Sequence, residues 1–393
     1  MTSKNPPKPP FESSLTSLFW PVLAVAEANA AFTRQFVRQW SKDEPPPEPA
    51  AELDWLTPNR IALQLHTARL RDFSAAPQPN KASARPPVLV CAPFSMHGAH
   101  VADLCPDHSL MAALRAAAPA LFLLEWLSAS PEQRFRRIDD FLADLNVMVD
   151  ELGGRVDLIG LCQGGWLGLI YAARFPGKVR KLVLAGAPVD IDASESALSR
   201  LTRLTPVETF KDLVELGGGL MRGAQTQLLW PTPPETPEKL HDLLQSREAL
   251  GSPQFAAQAA IFAKWNSWTL DLPGAYFLEV VERIFKNNEL AKGEFMALGQ
   301  RIDLKKLNLP LYLLLAQADE VTAKEQAAAV SQLVGTPAAR LKAAPGRHLS
   351  LFMGRQALEQ FWPDVMAWLG EGEAAPAKAK RSRAGLSLPK API

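Results

Sequence analysis

The residues of this chain best suited to chemistry stand in one short stretch, Val156-Asp157-Leu158-Ile159-Gly160-Leu161-Cys162-Gln163-Gly164-Gly165-Trp166. An apolar, strand-like run leads into Gly-x-Cys-x-Gly and continues as a helical pattern. That is the strand–turn–helix setting of a nucleophile elbow, with a thiol as the nucleophile. The turn is so tight that side chains two before and two after the nucleophile would collide. Gly160 and Gly164 remove them, and Gly165 follows. Such a turn lifts Cys162 above the sheet edge at the start of a helix, where the partial positive charge favours thiolate over thiol. The alternative is a buried structural cysteine at a strand end. Two glycines at the required offsets count against it.

A thiol nucleophile needs a base and a group that orients the base, in the chain order nucleophile, acid, histidine. Two histidines stand downstream of Cys162, namely His241 and His348. His241 falls in a helical region. His348 follows a short strand pattern at 340–343 and precedes the last helix, so it is the expected base. The run from Leu311 ends on Asp319, the expected acid, which would fix the imidazole tautomer; its neighbour Glu320 is the competitor. An oxyanion needs backbone N–H donors. One is expected from Gln163 and the other from Phe94 or Ser95, in the loop after an early strand. His97 and His100 in that loop stand three apart, but no third ligand is near and no metal is expected.

These residues require an α/β framework. Short, nearly continuous apolar runs at 88–92, 121–126, 156–161, 181–187 and 311–316 read as strands buried on both faces of a parallel sheet. Helical stretches at 109–117, 131–152, 165–175, 323–334 and 355–369 alternate with them, which implies helices on both faces. From Pro188 to about Arg301 the alternation stops. This helical, Trp-bearing insertion is expected to cap the carboxyl ends of the strands.

The flanks differ in texture. Prolines at 6, 7, 9 and 10 deny the start of the chain regular structure. An apolar stripe at helical spacing runs from Leu15 to Trp40, and prolines at 45, 46, 47 and 49 form a stiff linker. Read as a signal peptide, the stripe is interrupted by Pro21 and continues past the supposed cleavage site, so an amphipathic helix is the expectation. After Gly372 the chain is basic and rich in Ala and Pro, the pattern of a disordered tail. The expected division is an arm and linker over 1–50, a catalytic domain over 51–370 with its cap at about 189–300, and a tail over 371–393.

Composition bounds the function. Of 393 residues, 42 are Lys or Arg and 41 Asp or Glu. A net charge of +1 gives no overall field to draw in nucleic acid. The 47% apolar fraction supports a large core. Three cysteines, at 91, 105 and 162, make neither a disulfide framework nor a metal cluster, which fits a reducing cytoplasm. No run approaches the roughly 20 apolar residues of a transmembrane helix.

With these residues in place, the chain resembles the polyhydroxyalkanoate synthases and the related intracellular polyhydroxyalkanoate depolymerases, both of the α/β-hydrolase fold with a cysteine nucleophile. The resemblance spans roughly 85–370 and is anchored on Gly160-Leu161-Cys162-Gln163-Gly164-Gly165. It extends to Asp103-Leu104-Cys105-Pro106-Asp107-His108-Ser109-Leu110, to Asp271-Leu272-Pro273-Gly274 through Arg301-Ile302-Asp303-Leu304, and to Gly354-Arg355 through Trp362-Pro363. It implies a triad of Cys162, His348 and Asp319 that moves a 3-hydroxyacyl group through a Cys162 thioester. The expected function is that of a synthase-like acyltransferase taking the group from coenzyme A to a growing polyester, with no resident cofactor. Departures occur at Phe94–His100, where the synthases carry a Trp- and Tyr-rich loop, at Glu320, where they usually have His, and at Arg347, where they have Gly. Two alternatives follow: a thiol hydrolase, either depolymerase or thioesterase, and a non-catalytic granule-binding protein. The implied partners are the acyl-coenzyme A or polyester chain, a polymer granule surface, and a second copy or second subunit.

Overall fold

The computed structural model describes residues 53–75, 85–229, 234, 236–336 and 339–372. The expected helix at 15–40, the proline linker and the basic tail lie outside the described residues.

Among the described residues eight strands form one sheet: β1 (Arg60–Gln64), β2 (Ala68–Asp72), β3 (Val88–Cys91), β4 (Leu121–Trp126), β5 (Val156–Leu161), β6 (Val179–Ala185), β7 (Leu311–Ala316) and β8 (Ala339–Ala344). Their spatial order is β1-β2-β4-β3-β5-β6-β7-β8. β2 pairs antiparallel with both β1 and β4, and from β4 onward every neighbouring pair is parallel. This is the sheet of an α/β-hydrolase.

Three helices alternate with the strands as far as β6: α1 (Leu110–Arg115), α2 (Ile138–Glu151) and α3 (Gln163–Arg174). Between β6 and β7 come α4 (Ala197–Leu204), α5 (Val207–Leu216), α6 (Gly223–Leu229), α7 (Pro237–Leu244), α8 (Pro253–Ser267), α9 (Gly274–Glu279) and α10 (Glu289–Lys292). The chain closes through α11 (Lys324–Ala328), α12 (Val330–Leu333), α13 (Ser350–Met353) and α14 (Trp362–Gly370).

β3, β5, β6 and β7 have no exposed residue, which is why they read as unbroken apolar runs. Alternate side chains feed two cores. Leu89, Leu158, Leu182 and Leu313 join α2 and α3 on one face, while Val90, Ile159, Val183 and Leu314 join α1 and α14 on the other. Each such Leu or Ile stabilises the fold by about 1.5–3 kcal/mol. The charged residues inside the sheet are paired. Glu125 on β4 accepts from Arg71 Nε at 2.6 Å. Asp157 on β5 accepts from Arg180 of β6 through both oxygens, the Nε bond being 2.8 Å long.

The structure corrects several expected boundaries. β1 and β2 had no counterpart in the sequence pattern. β1 is almost wholly exposed and β2 buries only alternate residues, so neither gives a continuous apolar run. The helix expected over 131–152 is a 3-10 turn at Pro131–Gln133 followed by α2, whose first N–H is taken by Glu279 at 2.9 Å. The stretch 355–369 is a π turn at Ala357–Phe361 leading into α14. The insertion is not purely helical: Leu220–Met221 pairs with Leu272–Pro273, and Met296–Ala297 with Gln300–Arg301.

Candidate active site

β5 ends at Leu161 and α3 begins at Gln163, so a single residue makes the turn. Cys162 makes it with φ 49° and ψ −116°, a conformation that costs a non-glycine residue about 1–3 kcal/mol and is held by its surroundings. Its N–H donates to Ala185 O at 2.8 Å, and its carbonyl accepts from Gly165 N at 2.9 Å. The glycines are needed for close approach of the backbone. A Cβ on Gly160 would lie 2.4 Å from Gly165 Cα, one on Gly164 would lie 2.1 Å from Cys91 O, and one on Gly165 would lie 2.4 Å from Ala187 Cβ. The elbow is therefore pressed against β3 on one side and the end of β6 on the other.

His348 and Asp319 come from the loops after β8 and β7. His348 Nδ1 lies 2.9 Å from Asp319 Oδ2 and 3.0 Å from Oδ1. Asp319 Oδ1 also accepts from the N–H groups of Val321 and Thr322, at 3.0 and 2.7 Å. His348 also hydrogen-bonds Cys162, and since Nδ1 is on Asp319, Nε2 is the nitrogen left for the sulfur. Burial pulls the imidazole toward its neutral form, but the Asp319 and Cys162 charges outweigh it and hold the ring's pKa well above the usual value. Glu320 takes a different part: Oε2 accepts from the His348 backbone N–H at 3.2 Å, and Oε1 lies 3.3 Å from Arg347 Nε.

Two features that the sequence did not single out support the histidine. Gly186, at φ 58° after β6, faces the ring; a Cβ there would sit 3.1 Å from His348 Cε1. Its only signal is a glycine directly after a buried strand. The C-terminal end of α7 is stitched to the His348 loop, since Gln245 Nε2 donates to Pro345 O at 3.2 Å and Ser350 Oγ donates to Leu243 O at 2.8 Å.

The residues expected as oxyanion donors stand at the start of α3 and on the loop after β3. Gln163 is the first residue of α3, so its N–H has no intrahelical acceptor. Among the described residues the N–H groups of Phe94 and Ser95 have no acceptor either. The Phe94 ring packs on Trp126, Phe141 and Tyr276, which fixes the loop from inside. Met96 sits at φ 49°, and its carbonyl is tied to Leu270 N at 2.7 Å.

Two clefts meet at Ser95 and Met96. One encloses about 660 Å³, partly open to solvent, between Gln163 and apolar side chains of the insertion, among them Leu201, Phe210, Tyr276, Phe277 and Val281. The smaller, about 340 Å³, contains Cys162 and His348 together with His97, Trp265, Leu349 and Phe352. The site is thus walled by the insertion between β6 and β7 and floored by the sheet.

Cys91, Cys105, His100 and His241 line neither cleft. Burial pushes the thiols of Cys91 and Cys105 up to about 12. His241 Nε2 is 3.1 Å from Glu248 O within the insertion. His97 and His100 turn to different carbonyls, of Trp268 and Leu53. Among the described residues no three His, Cys, Asp or Glu side chains are grouped as a metal would require, and no helix is long and apolar enough to cross a membrane.

Comparison with known proteins adds a family context. Residues 68–197 match a family described as "Protein of unknown function (DUF3141)" and residues 239–372 match "PHB de-polymerase C-terminus". The poly(3-hydroxyalkanoate) polymerase subunit PhaC of Allochromatium vinosum is 24% identical over 299 residues, covering 73% of this chain and 82% of that protein. The PhaC subunit of Haloferax mediterranei is 22% identical over 80% of this chain and 64% of that protein. That of Synechocystis sp. is 26% identical over 69% of this chain and 74% of that protein. Among solved structures, an α/β-hydrolase fold protein from Chitinophaga pinensis aligns with a TM-score of 0.47 at 16% identity, covering 80% of this chain and 98% of that one. A thioesterase domain from the curacin biosynthetic pathway aligns at 0.46 and 15%, covering 80% and 99%.

Proposed function

We propose that this chain, an α/β-hydrolase-fold relative of the poly(3-hydroxyalkanoate) polymerases, is a cysteine-dependent acyltransferase. It would move 3-hydroxyacyl groups from coenzyme A to a growing polyester through a thioester on Cys162. The observation that carries this reading is the continuous contact from Asp319 through His348 to Cys162, with the sulfur on a strained elbow at the start of α3.

In the first half-reaction His348 takes the thiol proton and Cys162 Sγ adds to the thioester carbonyl carbon. The oxygen takes the negative charge beside the N–H of Gln163 and that of Ser95 or Phe94. Collapse breaks the bond to the coenzyme A sulfur, which receives the proton from His348. In the second, His348 takes the proton of the acceptor hydroxyl, whose oxygen adds to the Cys162 thioester, and the cysteine sulfur leaves and recovers that proton from His348. Asp319 holds Nδ1 protonated throughout and stabilises the imidazolium. The apolar cleft lined by Phe210, Tyr276 and Phe277 suits the hydrocarbon part of an acyl chain.

The matched "PHB de-polymerase C-terminus" over 239–372 favours a second reading, in which water or a small thiol replaces the hydroxyl acceptor. The same proposal includes a catalytic unit over 51–370 capped by about 189–300, a cytoplasmic setting, and granule contact through the 15–40 stripe, alone or with a second copy or subunit.

Incubation with 3-hydroxybutyryl-coenzyme A, following coenzyme A, polymer and free acid, tests it. Coenzyme A release with polymer is expected. Free acid in place of polymer selects the hydrolase, and a Cys162→Ala chain that still turns over removes the thioester route.

A further inference from the structure

His97 belongs to neither the candidate triad nor its supports, yet it lines the cleft that contains Cys162 and His348. Its Nδ1 lies 2.6 Å from the Trp268 carbonyl oxygen. A carbonyl only accepts, so Nδ1 carries the ring proton and Nε2 presents a lone pair. Burial pushes the His97 pKa down to about 4, which keeps the ring neutral at ordinary pH. His97 is 4% exposed, and Nε2 has no hydrogen-bond partner among the described residues.

A second open group stands beside it. The Trp265 ring lies against His97 with centroids 4.1 Å apart, and it lines the same cleft. Trp265 is 1% exposed, and its Nε1–H is also buried without a partner among the described residues. Buried polar atoms are nearly always satisfied, so each exception calls for a reason. Here the two exceptions are complementary: one acceptor lacks a donor and one donor lacks an acceptor, in side chains that touch. Their other cleft neighbours are mostly apolar, including Pro93, Met96, Val101, Leu349 and Phe352. A hydroxyl can satisfy both atoms at once, donating to one and accepting from the other, as a water would until an acyl hydroxyl displaced it.

We propose that His97 Nε2 and Trp265 Nε1–H bind the hydroxyl of a hydroxyacyl thioester, so that this pair selects hydroxylated acyl groups over plain ones. The assignment rests on the acyl-transfer reading above and adds to it the part of the site that reads the substrate. A site built to hydrogen-bond a hydroxyl rejects the analogue that lacks it, because the analogue leaves buried polar groups unpaired.

The test uses the full chain and two thioesters, 3-hydroxybutyryl-coenzyme A and butyryl-coenzyme A, with acylation of Cys162 followed by intact mass at subsaturating concentration. The wild-type chain is expected to prefer the hydroxylated thioester by at least about tenfold. His97→Phe should lower that preference by about tenfold while the butyryl rate stays within about threefold, which also shows that the variant is folded. Trp265→Phe should move the preference in the same direction. His97→Gln, which keeps a donor for Trp268 O and an acceptor for the hydroxyl, should retain part of it.

Equal rates for the two thioesters in the wild-type chain overturn the hydroxyl site alone. So does a preference that His97→Phe leaves unchanged, or a variant that loses both rates in proportion, which marks His97 as structural. No adduct from either thioester, with Cys162 still alkylated by iodoacetamide, overturns the acyl-transfer reading and the hydroxyl site with it.

Discussion

Glu320 holds His348 by its backbone and not by its ring: its Oε2 accepts the His348 N–H at 3.2 Å, while the ring nitrogen 2.9 Å from a carboxylate is on Asp319. Two adjacent acids therefore divide two tasks. One orients and charges the imidazole, and the other fixes the loop that carries it.

That division predicts unequal variants. Asp319→Asn should keep the fold and lower acylation of Cys162 by roughly a thousandfold to ten-thousandfold, because an amide cannot hold the tautomer or stabilise the imidazolium. Glu320→Gln retains an acceptor for the backbone N–H and loses only a half-exposed pairing with Arg347, so its effect should stay below about tenfold. Single-turnover acylation rates check this, and the reverse ranking would reassign the acid.

The elevated affinity of His348 for its proton has a direction in pH. Unfolded, the ring titrates near 6.5; folded, burial is outweighed by Asp319 and Cys162, and the value is raised. Its contribution to stability is therefore complete below about pH 6.5 and is lost as pH rises through the folded value. Asp319→Asn removes one of the two groups that raise the value and should move the ring titration downward. Ring NMR of His348 and urea denaturation over a pH series from about 5 upward read both. The stability gap between wild type and Asp319→Asn should be widest at the acid end of that series and should narrow as pH rises. A gap independent of pH would contradict the linkage.

The elbow glycines are predicted to differ from a nearby helical one. Gly164→Ala drives a Cβ to 2.1 Å from Cys91 O and 2.9 Å from Ala92 O, both of them backbone atoms without room to move. A loss of about 3 kcal/mol or more, or failure to fold, is expected. Gly168→Ala meets only the tip of Leu158 at 3.1 Å and gains about 1 kcal/mol of helix propensity, so its stability should lie within about 1 kcal/mol of wild type. Urea denaturation separates the two.

Thiol reactivity should single out one cysteine. Cys91 and Cys105 are buried, with thiols pushed up to about 12, so they offer almost no thiolate near neutral pH. Iodoacetamide should modify Cys162 first, as read by peptide mass spectrometry. Equal, slow labelling of all three would favour the non-catalytic reading of this fold.

Much of the framework is legible before folding because its physics is local. β3, β5 and β7 announce themselves as apolar runs, since both faces of each are buried. The hairpin of β1 and β2 escapes notice because an edge strand can keep Arg60 and Gln64 in solvent, and because Arg69 and Arg71 of β2 are needed beside the buried Glu125. The break before α2 is equally hidden, since the acid that receives its first N–H is Glu279, far away in the chain.

The sequence by itself determined the candidate nucleophile: Gly160, Cys162 and Gly164 at fixed spacing between a buried strand and a helix leave the backbone one compact turn. It also narrowed the candidate base to His348 and the candidate acid to two neighbours, since strand ends bound where those loops emerge. Only the tertiary structure put Asp319 and not Glu320 on the imidazole, made Gly186 the floor beneath it, and buried His97 Nε2 and Trp265 Nε1 without hydrogen-bond partners among the described residues, in side chains that line one cleft. Periodicity registers which face of an element is buried. Which nitrogen meets which oxygen depends on loops from distant strands converging to within 3 Å, and no local pattern in the chain encodes that distance.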